Sequence, residues 1–143
     1  MKYQGTTKIL PADPEGGAVA VEFIILFPLL LMILAGIFEI GNLFYVRHTL
    51  TNASREGARA AVVYHVGSDR ATWAQTTAKS TVDKYLLDTK FTRAYTVATT
   101  AGNGTGQLVT VNITAPKVPL VLGQLIPAFQ NLSVSAETTM KME

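Results

Sequence analysis

At 143 residues the chain has room for one small domain, or for a membrane segment joined to a smaller soluble domain. Hydrophobic residues make up 48% against 15% charged, and the apolar content is concentrated early, which favours the second arrangement. The net charge of +2 comes from 12 basic and 10 acidic side chains with no run of one sign, and there is no cysteine; nucleic-acid binding, a disulfide framework and a thiolate metal site are set aside.

Residues 1–17 (MKYQGTTKILPADPEGG) hold Gly5, Pro11, Pro14, Gly16 and Gly17 without any helical or alternating apolar pattern, and read as unstructured. From Ala18 the texture changes abruptly. Residues 18–38 (AVAVEFIILFPLLLMILAGIF) carry a single charge, Glu22, and as a helix would span roughly 30 Å, the thickness of a bilayer core. An ordinary secretory signal fits poorly, because the end of this run offers no pair of small residues spaced for cleavage.

Beyond Glu39 the helical period persists. Leu43, Val46, Leu50, Ala53, Gly57, Ala60 and Tyr64 recur at spacings of three and four, and Arg47, Thr51, Arg55 and Arg59 mark the opposite side beside His48, Asn52 and Glu56. One helix is therefore predicted to run to about Tyr64 and to end near Gly67, Ser68 and Asp69. Asp69 is placed to cap a second helix through Trp73, Val82 and Leu86, with Lys90 near its end. Three Thr-rich alternating segments follow (RAYTVATT, LVTVNITA, LSVSAETTMKM), separated by residues 101–106 and by a Pro-containing stretch from Pro116 to Pro127. Asn103, Gly104 and Gly106 are expected to supply the positive φ of a hairpin loop, and Val109, Val111, Ile113, Leu132, Val134 and Ala136 the inner faces of strands. The fold class expected is α+β: a long N-terminal membrane-spanning helix continuing into a small domain with a second helix and a three-stranded, mostly antiparallel sheet.

Glu22 poses a physical problem, since a carboxylate inside a spanning helix costs roughly 2.5–3.5 kcal/mol on insertion scales. Cleavage between Gly17 and Ala18 would answer it. The new α-amino group on Ala18 would lie one helical turn from Glu22, on the same face, and be largely cationic near neutral pH. The alternative is an uncleaved anchor with Glu22 at headgroup level.

Gly17, four intervening residues, then Glu22 and Phe23 opening an apolar helix resembles the processing site of type IV prepilins. The longer run VEFIILFPLLLMILAGIFEIGNLFYVRHTLTNASREGARAAVVY resembles TadE-like minor pilins, or pseudopilins, of tight-adherence (Tad/Flp) pilus systems, through Glu22, Phe23, Pro28, the Gly36 to Gly41 segment and the Asn52 to Arg59 motif. Ala18 departs from the Phe that opens mature type IV pilins. The resemblance implies a leader, residues 1–17, removed by a prepilin peptidase; a transmembrane segment, 18–38; an extracytoplasmic helix, 39–66; and a small α+β domain, 67–143. It further implies a single-pass protein of the bacterial inner membrane, whose partners are lipid, other pilins or pseudopilins and an assembly platform driven by a cytoplasmic ATPase. Glu22 would recruit the subunit against a neighbour's amino terminus.

Pro28 removes a helical donor and is expected to kink or loosen the membrane helix. Ala53, Gly57 and Ala61 form a strip of small residues for close approach, either of the domain's own elements or of another subunit; with Arg55, Glu56 and Arg59 they make up the candidate interface. An enzyme is not indicated: His48 and His65 are the only histidines, there is no phosphate-cradling glycine loop, and neither a cofactor nor a small-molecule substrate is called for. The competing reading from another class is an adhesion or binding module tethered by an uncleaved anchor.

Overall fold

A computed structural model of the protein describes residues 14–63, 69–116 and 132–142, with side chains from residue 17 onward. Five elements occur in the order α1 (Pro14–Ala61), α2 (Arg70–Asp88), β1 (Thr96–Ala101), β2 (Leu108–Ala115) and β3 (Val134–Lys141). By internal contacts the chain divides into two units, Met1–Ala35 and Gly36–Glu143.

The first unit holds the opening half of α1. The helix begins at Pro14, four residues earlier than the sequence pattern suggests, because proline is tolerated in a first turn, where its missing N–H has no helical partner to lose. From Gly17 through Leu34 every side chain is exposed, and α1 is long and apolar enough to cross a membrane. Phe23 and Phe27 stack along one edge, with ring centroids 5.2 Å apart.

The second unit is a two-layer α+β domain. Its sheet has the order β1-β2-β3, antiparallel throughout. Alternation sends Val109, Val111, Ile113 and Ala115 inward from β2, level with Val97 and Thr99 of β1 and with Ala136 and Thr138 of β3. Two helical stripes cover that face: Val46, Leu50, Ala53, Ala58 and Ala61 from α1, and Ala74, Ala78, Val82 and Leu86 from α2. Ala60, expected in the stripe, is only partly buried, while Ala61 takes the core position. Tyr64, Gly67 and Ser68, where the helix was expected to end, lie outside the described residues, as does the stretch after Pro116 up to Asn131.

The ends of α2 show how local chemistry fixes it. Asp69 is the N-cap and accepts from the Thr72 N–H. The neighbouring Ala71 N–H goes to Asn103 Oδ1 at 2.9 Å, a cap contributed by the β1–β2 loop. Asn103 therefore has a capping role and no positive φ; in that loop only Gly106 has one, at 78°. At the other end the Lys90 N–H bonds the Leu87 carbonyl and the Phe91 N–H bonds the Leu86 carbonyl, a Schellman closure with Lys90 at φ 54°. Phe91 then packs on the core. Tyr95 donates to Asp83 Oδ1 at 2.9 Å; partial burial and that carboxylate hold its phenol above the ordinary range.

Candidate functional site

The candidate site residues all fall on α1. Gly17 and Ala18 lie inside the helix, and both are exposed. Glu22, the lone carboxylate of the apolar run, is exposed one turn beyond Ala18 and forms no ion pair among the described residues. Its nearest companions along the chain, Phe23 and Val21, are equally exposed. In the intact chain Ala18 carries a peptide nitrogen, so no amine is there to meet the carboxylate. Pro28 sits within the helical run, where the carbonyl of Ile24 loses its helical N–H partner.

The small-residue strip resolves one alternative left open by the sequence. Ala53 and Ala61 are fully buried, and Gly57 is buried with them. A Cβ on Gly57 would stand 2.6 Å from Val82 Cγ2, 3.1 Å from the Ala78 carbonyl oxygen and 3.7 Å from Val111 Cγ1. Gly57 is therefore packed against α2 and β2 of the same domain, and Ala53 and Ala61 are buried in the same core. The close approach has a plain cause: at Gly57 the α1 backbone meets the Val82 side chain of α2, and only a glycine leaves room.

What remains outward on this part of the helix is polar. Arg47, His48, Asn52, Arg55, Glu56 and Arg59 are exposed. Arg59 and Glu56 approach to 3.9 Å, an exposed i,i+3 pair that contributes little to stability. Of the proposed interface, Arg55, Glu56 and Arg59 stay accessible.

Two contacts that carry structural weight were not read from the sequence. Ser54, wholly buried in the middle of the NASREGAR run, donates to the Thr51 carbonyl or shares a hydrogen bond with Thr138 Oγ1 at 2.7 Å, fastening α1 to β3. Arg93 Nη2 donates to Asn42 Oδ1 at 2.8 Å, tying the segment before β1 to α1. Ser54 falls beside the predicted stripe of Leu50, Ala53 and Gly57, so nothing in sequence pairs it with Thr138, or Asn42 with Arg93. Thr110 and Thr114 face outward, whereas Thr99 points inward with its hydroxyl buried and without a hydrogen-bond partner.

Among the described residues, no three His, Cys, Asp or Glu side chains gather into a cluster. No curated protein and no solved structure matches the chain. Residues 17–59, from the exposed glycine of the first turns to the exposed Arg59, match the family model described as TadE-like protein, so this stretch of the long helix is similar to that family.

Proposed function

We propose that the protein is a pilin-like structural subunit, a minor pilin or pseudopilin of a Tad/Flp type IV pilus used in surface adherence. A prepilin peptidase cuts it between Gly17 and Ala18; it works in the bacterial inner membrane as a single-pass protein, with residues 39–143 outside the cytoplasm. The observation that carries this reading is the opening half of α1. Large apolar side chains from Val19 to Phe38 are exposed along a stretch of helix that holds one carboxylate, Glu22, and the family match starts at Gly17. Such a surface is stable in lipid or against other helices of its kind, not in water.

Cleavage turns the cost of Glu22 into a recruiting device, because the freed Ala18 amine offers a counter-charge within the chain or on a neighbouring subunit. Gly16 and Gly17 make that turn of α1 easy to unwind for a peptidase, each being about 1 kcal/mol less favourable in a helix than alanine. Partners in this reading are other pilins or pseudopilins and the assembly platform.

Intact-mass measurement of membrane-extracted protein from the native host is expected to show a chain beginning at Ala18. A chain beginning at Met1 in cells with active peptidase would sink the pilin reading and leave a tethered binding module. Glu22→Ala is expected to be processed normally and to lower pilus formation; normal piliation of that variant would remove Glu22 from assembly.

A further inference from the structure

An open groove of about 470 Å³ runs along the second unit between α1 and the start of β3. Ile40, Leu43 and Phe44 form one wall, Leu132 to Ser135 the other, and among the described residues Arg47 is the one charged side chain on its rim. The Arg47 guanidinium makes no ion pair among the described residues.

The position of this groove along the helix decides what can fill it. The second unit itself carries the end of the apolar run, with Ile37 and Phe38 exposed. If residues 18–38 fill the hydrocarbon core of roughly 30 Å, the core ends near Phe38. Ile40 then begins about 3 Å beyond that edge and Phe44 about 9 Å beyond it. Arg47 follows at about 13 Å, but helical side chains lean over the turn on their N-terminal side, which brings the guanidinium back by about 5 Å. That is the depth of the phosphate layer, where a long basic side chain snorkels and where aromatic side chains such as Phe44 and Tyr45, both more than half exposed, are commonly found.

We propose that this groove seats an anionic phospholipid of the surrounding bilayer, with its phosphate on Arg47 and the upper part of an acyl chain against Ile40, Phe44 and Val134. The inference rests on residues 18–38 spanning the bilayer. It adds a specific lipid contact that holds the soluble domain at the headgroup layer. Charge complementarity and the continuity of the apolar wall with the spanning run favour lipid over a second protein chain.

The absence of native cysteine permits a direct test on the full chain. Ser135→Cys, on the exposed lip of the groove, is labelled with a fluorophore, and the protein is reconstituted into phosphatidylcholine vesicles containing headgroup-spin-labelled phosphatidylglycerol or phosphatidylcholine. Quenching is expected to favour the anionic lipid by about fivefold in apparent affinity, the contribution of one arginine near a charged surface. Arg47→Gln is expected to abolish that preference, and Arg59→Gln, exposed further along α1, to keep it. No preference, or one that survives Arg47→Gln, overturns the proposal. So does a label shielded equally in lipid-free detergent, which would put the chain's own residues in the groove, or label-to-label energy transfer rising with protein density, which would put a second copy there. Failure of the chain to float with vesicles overturns the spanning reading as well; flotation without anionic preference overturns the lipid site alone.

Discussion

The two halves of α1 obey the same helical geometry and solve opposite problems. In the first unit the helix presents large side chains such as Leu29, Leu30 and Ile33, all exposed. In the second, Ala53, Gly57, Ala58 and Ala61 are enclosed by α2 and the sheet. Bulk is placed where the chain itself offers no cover, and bulk is removed where its own backbone comes close. The contrast teaches that apolar character alone does not say who the partner is: Leu29, Leu30 and Ile33 are exposed, while the equally apolar Val46 and Leu50 of the same helix are fully buried in the domain core.

The largest effect that would break this comparison comes from truncating one leucine in each half. Leu50 is fully buried, and Leu50→Ala is expected to destabilise the domain by about 3 kcal/mol through lost burial and the cavity left behind. Leu29→Ala, in the exposed half, is expected to shift domain stability by no more than about 0.5 kcal/mol. Thermal unfolding of the full chain in detergent, followed by the near-ultraviolet signal of the aromatic residues, measures both. Equal losses would mean that the two halves are not independently packed.

Gly57→Ala sharpens the same point with a smaller change. The added methyl gains about 1 kcal/mol of helix propensity. It also meets Val82 Cγ2 at 2.6 Å and the Ala78 carbonyl at 3.1 Å, and a β-branched valine on a helix has little rotamer freedom with which to yield. Overpacking of this kind costs about 1–3 kcal/mol, so a net loss of about 1 kcal/mol is expected. Adding Val82→Ala clears the nearest atom. In a double-mutant cycle the two substitutions are expected to compensate each other by about 1 kcal/mol, and simple additivity would show that α2 does not press on Gly57.

Most of the architecture was legible because it rests on period. The spacing of Val46, Leu50 and Ala53 marked a helix face, the alternation of Val109, Val111 and Ile113 marked a strand, and Asp69 announced a helix start; each appears as expected. The small-residue strip was legible as a close approach, but not as to which partner approached, since α2 meets Gly57 through a fold-level contact with no local signature. The same holds for Asn103. Its neighbours Gly104 and Gly106 read as turn chemistry, and its real work is to cap a helix distant in sequence. Long-range hydrogen bonds of this kind depend on where the sheet lies and leave no period behind.

Thr99 is the smallest and cleanest instance of that limit, because a β-branched residue in an alternating strand fits either face. Its register partner on β2 is Val111, which is fully buried, so Thr99 occupies an inner position with its hydroxyl short of a hydrogen bond. An unsatisfied buried hydroxyl costs about 1–3 kcal/mol relative to one that is paired. Valine keeps the shape and removes the polar atom. Thr99→Val is therefore expected to stabilise the domain by about 1 kcal/mol, read as a higher denaturant midpoint at unchanged slope. Thr110→Val, which breaks the outward hydroxyl pair with Thr139, is expected to give no such gain. A loss of stability in Thr99→Val would mean that the hydroxyl finds a partner in solution.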